Sequence, residues 1–234
     1  MKAVLEAIDR RAIEFARHPF YEFMRDVTID PRQRLAFVPV LAHFVMTFAD
    51  LYALVLREEP AKDRFQEIVN AHTYEDGGHW KWFLADLDTL GDDPRLPFSS
   101  ALKFVWSKAT EKTRLLSYHM CRLGVGADSL HKLVLVQCIE ATGKVALGHA
   151  APVGKQFAEL TGKKLVYFGP HHLDTEANHT LEEDTVRRLV EGIELEPGLE
   201  RELVALVDTC FALFLANADE LLAFAKSGQR IHAA

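Results

Sequence analysis

The stretch HTYEDGGHWKWFLADL, at positions 72–87, contains two histidines seven positions apart with acidic residues between them. A second stretch, HLDTEANH at 172–179, has the same arrangement, so both match the pattern HxxxAcidxxH. Successive residues of a helix are rotated by about 100°, so the first, fifth and eighth positions of this pattern fall within about 60° of one another. Each trio therefore projects from one face of a helix, and we predict that both faces point inward.

Histidine and carboxylate side chains together bind iron, manganese or zinc, and a dinuclear site holds its ions about 3.5–4 Å apart. A central carboxylate can bridge two such ions while histidines one turn away bind terminally. Glu75 lies near the same helical face as Asp76 and is an alternative ligand to it. The metal ligands predicted from the two trios are His72, Glu75 or Asp76, His79, His172, Glu176 and His179.

Two adjacent glycines, Gly77 and Gly78, lie inside the first trio. Two glycines within a helix cost roughly 1.5–2 kcal/mol relative to alanine. They predict either a distorted helix, such as a π-bulge beside a metal site, or a helix that begins only after Gly78. The second alternative would separate His72 from His79.

A third helix should supply another acidic ligand. Glu140 lies in the otherwise apolar stretch LVQCIEATG at 135–143. A carboxylate in such a face is costly unless it is paired or bound to a metal. Glu140 is therefore predicted to be a metal ligand, with a solvated salt bridge to Lys144 as the alternative.

The remaining histidines are predicted to have structural roles. A single histidine on an apolar helical face is usually a hydrogen-bonded core residue, which is our expectation for His43, His119, His131 and His149. His171 and Asp174 point away from the face of the second trio, and we expect them in solvent.

Apolar residues recur every three or four positions along the chain, with no convincing run of period-two alternation, which predicts an all-α protein. No linker or repeat divides residues 1–234, so we expect a single helical domain. Helices are predicted at 4–17, from Pro31 (capped by Asp30) to about Leu56, from Pro60 toward Leu90, from Ser99 or Ser100 to about Arg122, at 129–148, after Pro152, from Pro170, and from Pro197.

The composition excludes several classes of partner. The 234 residues carry a net charge of -7, which disfavours binding to nucleic acid or to an anionic membrane. The longest uncharged run, 35–49, is shorter than the roughly 20 residues that span a bilayer. Cys121, Cys138 and Cys210 are expected to be free thiols. We therefore expect a cytoplasmic protein that binds a small molecule. The composition is also compatible with a homodimer.

The two HxxxAcidxxH stretches and Glu140 resemble the ligand helices of the heme-oxygenase-like diiron oxidases and oxygenases. The resemblance covers the chain from about His18 to about His179. It implies a heme-oxygenase-like (TenA-like) bundle of seven to nine helices that binds two Fe(II) ions and uses O2 as co-substrate. The family usually has Asp at the position of Glu176 and Glu at the position of His72, so the second metal is expected to bind more loosely unless Glu75 or Asp76 supplies the missing carboxylate.

The resemblance further implies oxidation of a small amino-acid or carboxylate metabolite by oxidative C–C cleavage, N-oxygenation or nitrile formation. A substrate carboxylate would need a cation, for which Arg114, Arg122 and Lys144 are candidates. The fold alone does not select one of these reactions.

Several alternatives remain open on the same sequence. A cofactor-independent, thiaminase-like enzyme would use Cys138 with Glu140, and a heme oxygenase would need His18 as its heme ligand. A ferritin-like carboxylate bundle would use Glu176 and His179 as an ExxH pair. A non-catalytic helical binding protein would use its inward histidines only for hydrogen bonds.

Overall fold

The computed structural model describes residues 1–91, 96–176 and 184–228, and within these ranges all regular secondary structure is helical. This confirms the all-α prediction for the described chain. Three of the twelve α-helices have seven residues or fewer, which brings the total above the seven to nine expected. In chain order they are α1 (Lys2–Ala16), α2 (Pro19–Arg25), α3 (Pro31–Arg34), α4 (Ala42–Asp50), α5 (Arg64–Asp76), α6 (Trp80–Leu90), α7 (Phe98–Val105), α8 (Glu111–Gly124), α9 (Ser129–Thr161), α10 (Pro170–Glu176), α11 (Asp184–Glu191) and α12 (Pro197–Ser227).

Helix starts follow side-chain caps rather than prolines alone. Asp30 accepts a hydrogen bond from the Arg32 backbone N–H and Pro31 is the first residue of α3, as predicted. The predicted start at Pro60 is wrong, because Asp63 accepts from the Gln66 backbone N–H and α5 begins one residue after it. A carboxylate cap satisfies backbone donors that a proline cannot.

Two long predicted helices are divided in the structure. The stretch from Pro31 to Leu56 consists of α3, a 3-10 turn at Val38–Leu41, α4 and a π-helix at Leu51–Leu56. The stretch from Ser99 to Arg122 is divided by a 3-10 turn at Lys108–Thr110. Apolar spacing is retained through both breaks, which is why the sequence pattern did not reveal them.

The helix break predicted at Pro152 is absent. The helix α9 runs through this proline and has 33 residues in all. Proline removes one helical hydrogen bond, to the carbonyl four residues earlier. That carbonyl belongs to Gly148, which is exposed, so water can satisfy it. The helix continues through Pro152 although an internal proline typically costs about 3 kcal/mol.

The long helix α9 is the centre of the bundle. It packs against α1, α2, α3, α5, α8, α10 and α12, and its residues Leu133–Val136 are almost completely buried. Because α5 carries His72 and Asp76 and α10 carries His172, their packing on α9 brings these parts of the two stretches to the helix that carries Glu140. The core thus determines which side chains meet at the candidate site.

One stretch of the described chain, Pro31–Leu56, is long and apolar enough to cross a membrane by length and composition. It is longer than the uncharged run noted in the sequence because it also includes charged residues at either end. In the structure it is broken into short helical pieces that place Val38, Val40 and Leu51 in the core.

The loop that leads from α9 into α10 is held against two other elements. The buried Asp86 carboxylate of α6 accepts hydrogen bonds from the backbone N–H groups of Val166 (2.7 Å) and Phe168 (2.8 Å). Burial raises the pKa of Asp86, although these hydrogen bonds oppose the shift. On the α9 side the loop packs directly on Gly154, where a Cβ atom would overlap the Phe168 carbonyl oxygen. These contacts fix the position at which α10 begins.

The variant Gly154→Ala is predicted to lower the free energy of unfolding by about 1–3 kcal/mol, because the added methyl group must displace the loop backbone. The matched control is Gly148→Ala in the same helix, where nothing lies within 4 Å of the new Cβ. The control should be neutral or more stable by up to about 1 kcal/mol. Urea unfolding of both variants checks this, and equal stabilities would contradict the close approach.

Candidate metal centre

A cluster of three buried side chains lies where α5 packs on α9. The His72 Nε2 atom is 3.2 Å from Asp76 Oδ2 and 3.1 Å from Glu140 Oε1. One nitrogen or oxygen from each residue lies within 4.8 Å of the others, so the group could hold a metal ion. The structure thus brings Glu140 of α9 together with His72 and Asp76 of the first trio.

The spacing and chemistry of these donors fit a first-row metal ion. Nitrogen and oxygen ligands bind such ions at about 2.0–2.2 Å, so adjacent ligands of one ion lie about 3.0–3.5 Å apart. The two measured distances from His72 are in this range. An imidazole with two carboxylates is a donor set typical of iron, manganese or zinc sites.

A second pair of donors lies beside the cluster. The His172 Nδ1 atom is 3.0 Å from the Tyr167 carbonyl oxygen, so Nδ1–H donates there and Nε2 faces His79 Nδ1 at 3.1 Å. His79 Nδ1 is 3.7 Å from Asp76 Oδ1, whereas Asp76 Oδ2 faces His72. Asp76 therefore lies between two donor groups and presents one carboxylate oxygen to each.

The structure separates the two alternatives for the acidic ligand of the first trio. Asp76 is in the cluster, whereas Glu75 has a side chain that is 30% exposed and lies 3.8 Å from His72 Nδ1. Glu75 thus faces the nitrogen of His72 on the opposite side from the cluster, where it can orient the ring. The side chain of Glu176 and all of His179 lie outside the described residues.

The helix of the first trio is interrupted at the two glycines. The first of its two helices, α5, ends at Asp76 and α6 begins at Trp80, so the stretch is not one continuous helix. His79 nevertheless stays within 3.7 Å of Asp76. The break turns the chain without separating the two ends of the trio.

Tyr52 is a member of the cluster that the sequence pattern missed. Its hydroxyl donates to Asp76 Oδ2 at 3.0 Å and lies 3.3 Å from His72 Nε2, and the residue is completely buried. It belongs to the π-helix Leu51–Leu56, a conformation often found at functional sites. The only signal in the sequence was a tyrosine in an apolar run, whose hydroxyl needs a partner when buried.

The charges of the cluster change the ionisation of His72. Burial lowers the pKa of this imidazole, but the hydrogen bonds and negative charges of Asp76 and Glu140 outweigh burial and raise it to about 10. In the protein alone, His72 is therefore an imidazolium held between two carboxylates. A metal ion would have to replace this proton.

Asp76 and Glu140 of the cluster line a cavity of about 140 Å³, together with His79 and His172. The cavity is otherwise mostly apolar, and seven phenylalanines contribute to its wall: Phe15, Phe20, Phe37, Phe44, Phe48, Phe168 and Phe214. Lys144 also lines it. Of the other proposed cations, Arg114 donates to the carbonyl oxygens of Val105 and Ser107, and Arg122 is exposed.

Two alternative sites are not supported by the geometry. A hydrogen bond with Cys210 and burial both raise the pKa of the Cys138 thiol well above its usual value, and Ile139 and Glu140 rather than Cys138 line the cavity. The His18 ring is the N-cap of α2, where Nδ1 accepts from the Phe20 backbone N–H. Cys138 is therefore not placed to act as the nucleophile of a thiaminase-like enzyme, and His18 is not placed to act as the ligand of a heme.

His43, His131 and His149 form hydrogen bonds as predicted, but all three are partly exposed rather than core residues. His43 lies 3.0 Å from the Ser117 hydroxyl, His131 lies 2.9 Å from Asp128, and His149 donates to the Val145 carbonyl oxygen at 2.8 Å. His171 and Asp174 are exposed, as expected. These histidines need no metal to explain their positions.

No protein-family model matches the chain, and no curated protein matches it. The class defined by the observations is therefore an all-helical protein with a buried His/Asp/Glu cluster that could bind a metal ion. The resemblance to the heme-oxygenase-like family stays a prediction.

Metal binding is predicted to release a proton from His72. Only the neutral imidazole can bind a metal, and the pKa of about 10 keeps His72 protonated over the neutral range. Between about pH 6.5 and about pH 8, uptake of one Mn²⁺ should release about one proton, and the affinity should rise about tenfold per pH unit.

Isothermal titration calorimetry in buffers of different ionisation enthalpy measures this proton. His72→Gln is the matched variant, in which the buffer dependence should disappear. A pH-independent affinity of the wild-type protein would show that His72 is not displaced by the metal.

Proposed function

We propose that the protein is a non-heme diiron oxidase or oxygenase that uses O2 to oxidise a small amino-acid or carboxylate metabolite. The observation that supports this most strongly is the position of Asp76. One of its oxygens faces His72 and the other faces His79, as expected of a carboxylate shared by two metal ions. Asp76 and Glu140 of the first donor group and His79 and His172 of the second line a largely apolar cavity.

Two sets of ligands follow from this arrangement. The first is His72, Asp76 and Glu140, and the second is Asp76, His79 and His172, to which Glu176 and His179 are expected to contribute. Two Fe(II) ions bound there would supply the electrons that reduce O2. The fixed tautomer of His172, set by the Tyr167 carbonyl, presents Nε2 to the second position.

The chain's own residues bind and shield the substrate. An apolar substrate packed against the phenylalanine wall displaces water from the cavity that the ligands line, which protects reactive species from side reactions. Lys144 is one helical turn after Glu140 and lines the same cavity, so its ammonium group can bind a substrate carboxylate close to the ligands. The substrate is thereby oriented with its apolar part against the aromatic rings.

The apolar lining of this cavity indicates which of the proposed amino-acid and carboxylate substrates fit it best. A small, strongly polar amino acid would leave the aromatic wall without contacts, whereas an aromatic or aliphatic carboxylate fills it. We therefore favour an amino-acid or carboxylate substrate with an apolar side chain.

A non-catalytic helical binding protein is the second candidate. The observation in its favour is that His72, as an imidazolium, already places one positive charge between two buried carboxylates without a metal. In that case the cluster would be a structural ion-pair network. Iron binding separates the two candidates.

Anaerobic Fe(II) titration is predicted to reach about two equivalents per chain, followed by visible absorbance changes when O2 is added in a stopped-flow instrument. His172→Ala should lower the stoichiometry, because it removes a donor of the second position. The matched control is His131→Ala, which removes an imidazole that interacts with Asp128 away from the cavity.

The control should titrate like the wild-type protein. If the wild-type protein binds no iron, or if His172→Ala is indistinguishable from it in stoichiometry and in the reaction with O2, the diiron proposal is wrong and the binding-protein candidate is preferred.

Lys144 is predicted to bind the carboxylate group of an apolar ligand. Lys144→Met should weaken the binding of 3-phenylpropanoate by about tenfold or more, because a charged hydrogen bond contributes about 1.5–3 kcal/mol. Lys155→Met, on an exposed position of the same helix, is the control and should bind the probe like the wild-type protein. Calorimetry measures both, and equal affinities would exclude Lys144 from the binding site.

A further inference from the structure

The hydroxyl group of Tyr52 occupies a position equivalent to that of the three cluster ligands. It lies 3.0 Å from Asp76 Oδ2 and 3.3 Å from His72 Nε2. These are the distances expected between adjacent ligands of one ion, about 3.0–3.5 Å. Tyr52 and His72 are completely buried and Asp76 is 6% exposed, so no water needs to lie between these groups and a bound ion.

The backbone at Tyr52 has an uncommon conformation, which a hydrogen bond from the hydroxyl group alone would not require. The residue belongs to the π-helix at Leu51–Leu56, which directly continues α4. The Arg57 backbone N–H completes this turn by donating to the Tyr52 carbonyl oxygen at 3.0 Å. Such wide turns are rare and are frequently found at functional sites. The chain thus has an uncommon conformation at the residue whose hydroxyl enters the cluster.

The charge balance of the cluster gives the hydroxyl a role that depends on the metal's oxidation state. At the first position Glu140 contributes one negative charge and the shared Asp76 at most one more, so together they compensate no more than a divalent ion, beside which a neutral hydroxyl adds no charge. A trivalent ion would leave one uncompensated positive charge in the buried site, which is unfavourable. Loss of the Tyr52 proton removes that charge, and a phenolate oxygen is the kind of hard anionic donor that Fe(III) prefers.

We propose that Tyr52 is a ligand of the metal held by His72, Asp76 and Glu140, and that it binds Fe(III) as a phenolate. The O–H bond is replaced by an O–Fe bond, one proton is released to solvent, and no electron is transferred in this step. The inference rests on the proposed function, because it requires iron at the first position. It assigns a fourth ligand to that position.

The test is the visible spectrum of the protein loaded with ferric citrate, with bound iron measured by elemental analysis. A phenolate bound to Fe(III) produces a visible charge-transfer band, and resonance Raman excitation within it enhances the ring vibrations of tyrosinate. The wild-type protein should show both signals. Tyr52→Phe should bind iron and lose both signals, by about tenfold or more in absorbance, if ligation is their source.

The matched control is Tyr21→Phe, a second buried tyrosine that lines the cavity away from the cluster. It should keep the band. If Tyr52→Phe fails to fold, as judged by circular dichroism, the other four tyrosines are replaced one at a time. A band that persists in Tyr21→Phe, Tyr74→Phe, Tyr118→Phe and Tyr167→Phe is assigned to Tyr52.

The outcomes separate the two proposals. If the wild-type protein binds neither Fe(II) nor Fe(III), both the proposed function and this inference are wrong. If iron binds without a tyrosinate band, or if the band survives in Tyr52→Phe, only the ligation by Tyr52 is wrong. Iron binding with a band that depends on Tyr52 supports both.

Discussion

The buried contact of His72 with two carboxylates is the interaction on which the rest of the structure depends. Asp76 and Glu140 come from different helices, α5 and α9, and either carboxylate alone would be a costly charge in the core. Breaking such a buried pair by removing one partner typically costs about 3–5 kcal/mol. The two helices therefore meet where a cation lies between the acids. In the protein alone this cation is the imidazolium of His72, and in the proposed function a metal ion replaces its proton.

The bundle supplies the conditions for this contact by burying it and by fixing its neighbours. The central helix α9 contributes Glu140 and packs against both histidine-bearing helices. Asp86 and Gly154 hold the loop before α10 from two sides, and the Tyr167 carbonyl in that loop sets the tautomer of His172. Positions far apart in sequence are thereby brought together beside an aromatic cavity.

Much of this could be predicted from helical periodicity and ligand spacing. The helical class, the cap at Asp30 and the meeting of Glu140 with the first trio follow from patterns that local geometry controls. The choice between Glu75 and Asp76 could not be made, because both lie near one helical face and only packing against α9 separates them. Tyr52 was missed for a related reason, since a π-helix has no distinctive apolar spacing and its hydroxyl reaches the cluster only through tertiary contacts.

The central claim is that two metal ions bind on either side of Asp76. Anomalous diffraction at the iron absorption edge, from crystals grown anaerobically with Fe(II), tests it most directly. Two peaks are expected, one among His72, Asp76 and Glu140 and one beside His79 and His172. Crystals with no peak at either position, in which His72 still contacts both carboxylates, would show that no metal binds there and that the cluster is a structural ion-pair network.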